Sequence, residues 1–194
     1  MKSFFKEFLW IIVMAVGLFL LLQVGMRTTI IRYYCMEPGI QEGQRVIINK
    51  MVYYFRQPMR GDVIVFQPPF ETEEPFIKRI IGLPGEAVEI RQGVVYIHSD
   101  GNAFALDEVY TKEPAAFDYY STPIPEGEYL VLGDNRNNSD DSRGGWMVDR
   151  EAIVGKAWLS IWPLNRLGVV SNPLLEMLPR TMLVALDVLE AGSS

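Results

Sequence analysis

Three places in this chain carry residues of types that do chemistry: a lone cysteine, Cys35; a lysine among apolar neighbours, Lys78; and the polar run Gly133 to Arg143. A thiol is far more acidic than a hydroxyl, and its thiolate attacks carbonyl carbon well. Without a partner, however, a lone cysteine is as readily a small buried hydrophobe. Lys78 lies in Phe76-Ile77-Lys78-Arg79-Ile80-Ile81, where period-two alternation places Phe76, Lys78 and Ile80 on one face. A lysine sharing a face with Phe and Ile loses hydration, which disfavours its charged form and suits it to act as a base. The same residue on an edge strand would serve to block aggregation. Arg79 is the weaker candidate base, because a guanidinium stays protonated.

The run from Gly133 reads Gly-Asp-Asn-Arg-Asn-Asn-Ser-Asp-Asp-Ser-Arg, too polar for a core. Its Asp and Asn side chains suit a loop bonded to its own backbone, and its arginines can clamp carboxylates. A solvated surface loop has the same composition. The single histidine, His98, offers Cys35 a second possible base, as in a thiol protease. It follows Val94-Val95-Tyr96-Ile97 and precedes Ser99-Asp100-Gly101, an ordinary approach to a turn.

Strands must position these groups. Arg45 to Asn49 and Asp62 to Phe66 are short, β-branched and bounded by Gly or Pro. Phe76 to Ile81 leads into Gly82-Leu83-Pro84-Gly85, and Ala87 to Arg91 continues as a strand. Gln92-Gly93 connects it as a hairpin to Val94–His98, which ends at Asp100-Gly101. Tyr129 to Leu132 and Ala152 to Ile161 are further strands. Residues 102–128, rich in Pro, Tyr and acidic residues, read as a long connection or small insertion. The fold class expected is mainly β: an antiparallel barrel or sandwich-like catalytic domain with one N-terminal transmembrane helix.

That helix is Phe8 to Gly25, FLWIIVMAVGLFLLLQVG, in which Gln23 is the only strongly polar residue. The stretch is within the length range for crossing a bilayer, and Trp10 suits an interfacial anchor. A cleaved signal peptide is the competing reading, and Val24-Gly25-Met26-Arg27 is a poor cleavage site for it. Lys2 and Lys6 before the stretch are matched by Arg27 and Arg32 after it, so charge does not set the orientation. The C-terminal stretch Pro173 to Ala191 is interrupted by Glu176, Pro179, Arg180, Asp187 and Glu190 and is not a second span. The chain thus divides into residues 1–7, an anchor at 8–25, a β-rich domain at 26–170, and a tail at 171–194 with a short amphipathic helix.

Composition excludes several functions. A net charge of -6 leaves no basic stripe for nucleic acid. One Cys and one His make a protein metal site improbable, and one Cys forms no internal disulfide. No phosphate-cradling glycine motif is present, so no cofactor is expected.

Cys35-Met36-Glu37-Pro38, Gly61-Asp62-Val63-Ile64-Val65-Phe66, Lys78-Arg79-Ile80-Ile81-Gly82-Leu83-Pro84-Gly85 and the Gly133–Arg143 run together resemble the type I signal peptidases. These are membrane-anchored proteases with a serine nucleophile and a lysine base. The resemblance spans roughly residues 8–163 and implies that Cys35 stands in the serine position with Lys78 as general base. It implies that Ser139 bonds to the lysine amine, that Asp141 and Arg143 form a supporting ion pair, and that Asp134 and Arg136 brace the loop. Ile31, Met36, Ile40, Phe76 and Ile77 match positions lining shallow substrate pockets. The implied reaction removes signal peptides from preproteins after Ala-x-Ala. The implied location is the plasma membrane, with residues 1–7 in the cytoplasm and the catalytic domain outside. The sequence departs from the family at Cys35, at Gly39 where threonine is usual, and at Tyr33 where a small residue is usual. In some relatives a serine at that last position binds the oxyanion. A relative or serine-to-cysteine variant that binds signal peptides without efficient cleavage is the alternative.

Overall fold

The structure, a computed structural model, describes residues 2–72, 74–170 and 172, without the side chains of 2–5 and 18–24. The N-terminal helix α1 (Lys2–Gly25) runs directly into strand β1 (Met26–Ile30). Among the described residues no helix is long and apolar enough to cross a membrane, so the expected transmembrane helix is not found there. The amphipathic helix expected in the C-terminal tail lies outside the described residues.

The remaining elements are β2 (Arg45–Asn49), α2 (Val52–Phe55), β3 (Val63–Phe66), β4 (Phe76–Gly82), β5 (Ala87–Arg91), β6 (Val94–Ser99), β7 (Asn102–Ala105), β8 (Tyr119–Tyr120), β9 (Glu128–Leu132), β10 (Val148–Asp149), β11 (Ile153–Trp162) and β12 (Gly168–Val169). The larger sheet is ordered β1-β2-β11-β3-β4-β9-β10, with β12 added to β11; the smaller is β7-β6-β5-β8. All of these pairings are antiparallel. The chain is mainly β, as its short β-branched runs indicate.

β3 is buried at every position and β4 at all but its first, because these central strands are covered on both faces. Ile81, Leu130 and Leu132 of the larger sheet pack with Val88, Ile90, Val95 and Ile97 of the smaller one. The two sheets thereby share one apolar layer. A separate cluster of Ile31, Met36, Ile40, Val46, Ile48, Val63, Val65 and Ile77 also takes in Cys35.

Both tight turns of the smaller sheet use two residues of positive φ, Gln92 (51°) with Gly93 (79°) and Asp100 (51°) with Gly101 (76°). That pairing twists the chain as a two-residue hairpin requires. The second turn starts β7, so residues 102–128 are more than a connection. They supply β7, β8 and the buried side chains Tyr110, Ala115, Ser121 and Ile124.

Candidate active site

After β1 the chain extends through Tyr33 and closes into a 3-10 turn, Tyr34–Met36. The turn is held by Glu37 N–H donating to the Tyr34 carbonyl (3.2 Å) and Ile40 N–H to the Met36 carbonyl (2.9 Å). Met36 is fully buried and fixes the turn to the core. Cys35 is thereby turned toward β4. There Lys78 Nζ lies 3.2 Å from Cys35 Sγ, while the thiol also reaches the Ile77 carbonyl at 3.5 Å. Lys78 Nζ is 5.0 Å from the centre of the Phe76 ring. Cys35 and Lys78 are only 5% and 4% exposed, so little water competes for their contact.

The polar run folds over this pair as a loop. Asn135 N–H donates to the Cys35 carbonyl at 3.0 Å, and Asn135 Nδ2 donates to the Tyr34 carbonyl at 3.2 Å. Gly133 passes so close that a Cβ there would lie 2.6 Å from the Cys35 carbonyl oxygen. Asp141 accepts from Gly133 N–H (3.0 Å) and from Arg143 Nε and Nη2 (2.6 and 2.7 Å). Arg143 Nη2 also reaches the Ser139 carbonyl at 3.3 Å.

Asp134 and Arg136 hold this loop through different partners. Arg79 donates to both Asp134 oxygens (2.8 and 2.7 Å) and to the Gly61 carbonyl (2.9 Å). Burial pushes the Asp134 carboxyl above its ordinary pKa, against the pull of Arg79 and Arg136. Arg136 grips both oxygens of Glu108 at 2.5 Å and donates from Nε to the Gly133 carbonyl at 3.1 Å. Burial opposes its charge, but the bonds and the charge of Glu108 outweigh burial and raise it.

Ser139 is a correction to the sequence reading. Its Oγ is buried without a hydrogen-bond partner, so the expected bond to the Lys78 amine is not formed. The amine is instead directed at the Cys35 sulfur, and Ser139 packs over Gly133.

The pair opens into a groove of about 1010 Å³ lined by Ile31, Tyr33, Tyr34, Phe76, Ile77 and Ser139, among others. Met36 and Ile40 are not among its lining residues; both belong to the core cluster around Cys35. Arg32 and Glu74 form an ion pair at the rim. His98 is elsewhere, on the smaller sheet, with Nε2 2.8 Å from Glu89 Oε2. Among the described residues no cluster of three or more His, Cys, Asp or Glu could hold a metal.

A family model described as "Signal peptidase, peptidase S26" matches residues 5–162. The chain belongs to this family.

Among similar signal peptidases is "Probable signal peptidase I-2" of Synechocystis, 42% identical over 162 residues, covering 78% of this chain and 72% of that one. "Signal peptidase I" of Leptolyngbya laminosa is 40% identical over 170 residues, covering 81% and 82% of the two chains. "Signal peptidase IB" of Staphylococcus aureus is 32% identical over 191 residues, covering 87% and 96%. This signal-peptidase-family chain is a peptidase, hence a hydrolase.

Three residues that matter here were missed or set aside on sequence grounds. From sequence Arg79 reads only as a weaker candidate base, and Glu108 and Tyr110 fall within the apparent connection. The signal was present: Arg79 and Arg136 sit in or beside apolar strands, where each buried guanidinium requires a carboxylate.

Proposed function

We propose that this chain removes signal peptides from exported preproteins, with Cys35 as nucleophile and Lys78 as general base. The observation that carries this reading is the buried 3.2 Å contact of Lys78 Nζ with Cys35 Sγ, open to a long groove of mixed polar and apolar lining. The names of its relatives support the same substrate.

In the proposed reaction the neutral Lys78 amine takes the thiol proton, and Cys35 sulfur bonds to the scissile carbonyl carbon. The negative charge moves to the carbonyl oxygen, where the Cys35 backbone N–H is one available donor, a kind of group whose loss costs roughly a hundredfold or more. The Lys78 ammonium then protonates the leaving amine as the C–N bond breaks, leaving a thioester. Water, giving a proton to Lys78, attacks the thioester carbon; the C–S bond then breaks, the new carboxylic acid leaves, and the Lys78 ammonium returns its proton to the sulfur. Protonation of the amine is the demanding step, because a thiolate otherwise leaves first. Asp141 and Arg143 stiffen the loop over the pair, which lysine's flexible stem needs.

The preprotein lies extended in the groove, its backbone pairing with strand edges. Ile31, Phe76 and Ile77 favour small side chains such as Ala before the cut, and Tyr33 and Tyr34 narrow the groove. Met36 and Ile40 support the floor from the core. Helix α1 anchors the chain in the plasma membrane, with residues 1–7 cytoplasmic and the β-rich domain outside. The exposed apolar side chains of Phe8 to Met14 support this anchoring.

The test is cleavage in detergent of a preprotein with an Ala-x-Ala site, comparing the native chain with Cys35→Ala, Cys35→Ser and Lys78→Ala. Cleavage at that bond by the native chain, lost in Cys35→Ala and Lys78→Ala, is the expected result. Cleavage by Cys35→Ser alone would overturn the thiol mechanism and leave a crippled scaffold.

A further inference from the structure

We infer that Glu108, outside the motifs that carry the family resemblance, is a positioning residue for the Cys35–Lys78 pair; the inference rests on the catalytic reading above. Glu108 follows β7, and its side chain is 9% exposed. Both its carboxylate oxygens bind Arg136, and one also accepts from the Tyr110 hydroxyl at 2.7 Å. The guanidinium groups of Arg79 and Arg136 lie 4.1 Å and 6.0 Å from the centre of the Tyr110 ring. Two buried cations and two buried anions, Arg79, Arg136, Asp134 and Glu108, thus balance around one aromatic ring.

Two routes connect this knot to the nucleophile. In the first, Glu108 fixes Arg136, Arg136 Nε holds the Gly133 carbonyl, and the loop beginning at Gly133 presses on the Cys35 carbonyl and bonds to it through Asn135. In the second, the Glu108 carbonyl accepts from Thr111 N–H (3.2 Å) and Oγ1 (3.0 Å), and Thr111 bridges to Pro38, three residues past Cys35. The connection between β7 and β8 therefore also holds the chain just after the nucleophile turn, at Pro38. Without the Glu108 charge, Arg136 retains its burial but loses the carboxylate that fixes its direction. A small displacement then passes to Cys35, and misplacement of a reacting group by ~1 Å costs roughly a hundredfold.

The experiment compares the full chain with Glu108→Gln and Glu108→Asp, measuring kcat and KM on the Ala-x-Ala preprotein below the melting transition of each protein. The rate of Cys35 alkylation by iodoacetamide is followed in parallel. Expected for Glu108→Gln is a kcat lowered about ten- to a hundredfold with KM changed less than about twofold, and alkylation slowed in step. Glu108→Asp, which keeps the charge, recovers part of both. An unchanged kcat in Glu108→Gln overturns the inference, as does a loss that disappears when rates are expressed per folded molecule. Cys35→Ala and Lys78→Ala are run alongside. If they abolish cleavage while Glu108→Gln does not, the inference alone fails; if they retain cleavage, the catalytic reading itself fails.

Discussion

Gly133→Ala gives the sharpest test of the loop geometry. A methyl at this position would sit 2.6 Å from the Cys35 carbonyl oxygen, whereas ordinary contact begins at 3.4 Å. The backbone on one side must therefore move by the difference, 0.8 Å. Neither side can yield freely. The loop is tied by Gly133 N–H to Asp141 and by Asn135 N–H to Cys35, and the nucleophile turn is fixed by fully buried Met36. Overpacking of this kind costs roughly 1–3 kcal/mol, less than the ~5–15 kcal/mol that holds a typical domain together. The variant should stay folded. A displacement near 1 Å at a reacting atom costs far more in rate, about a hundredfold. The assay is kcat on an Ala-x-Ala preprotein at a temperature where denaturant titration shows the variant folded. Gly168→Ala is the control, because nothing lies within 4 Å of its added methyl. If Gly133→Ala is as active as Gly168→Ala, the contact between the loop and the nucleophile does not hold the site.

Removing one partner of the Arg79–Asp134 pair, whose side chains are 4% and 1% exposed, should cost about 3–5 kcal/mol in chemical denaturation. The double replacement Arg79→Met with Asp134→Leu should recover most of it, and a single-variant loss below about 1 kcal/mol would contradict the pairing. At alkaline pH, burial pushes the Tyr53 and Tyr110 hydroxyls well above the ordinary tyrosine value, with the charges of Asp62 and Glu108 adding to it. Their folded-state pKa values exceed the unfolded ones, so this stability is full below about pH 10 and falls as pH rises beyond it. Spectrophotometric titration should show both ionising only as the protein unfolds, and reversible ionisation of all tyrosines in the folded chain would refute this.

Much of the β structure was legible because its strands announce themselves locally. Arg45–Asn49, Phe76–Ile81 and Ala87–Arg91 combine β-branched residues with Gly, Pro or Asn boundaries, and all three fall within observed strands. β7 was not legible, since Asn102 to Ala105 are all exposed and carry no alternation. The Asp100-Gly101 turn was its one local sign. β1 was hidden because Met26 to Ile30 follow the apolar helix without a break. Within the candidate site, Cys35, Lys78 and the polar run were visible as residue types in sequence. Their partners were visible only in space: Arg136 meets Glu108 across 28 residues, and Arg79 meets Asp134 across 55. No periodicity links positions so far apart.

The balance of charge around Tyr110 also constrains how this chain can drift. Arg136 lies in the polar run, while its counter-ion lies in a stretch that reads as a tolerant connection. A deletion or shuffle within residues 102–128 that lost Glu108 would strand a guanidinium beneath the nucleophile turn. Descendants of this chain can therefore lose Glu108 only by changing Arg136 in the same lineage. Positions 108 and 136 should be inherited as a pair even where the rest of the stretch between β7 and β8 is rewritten.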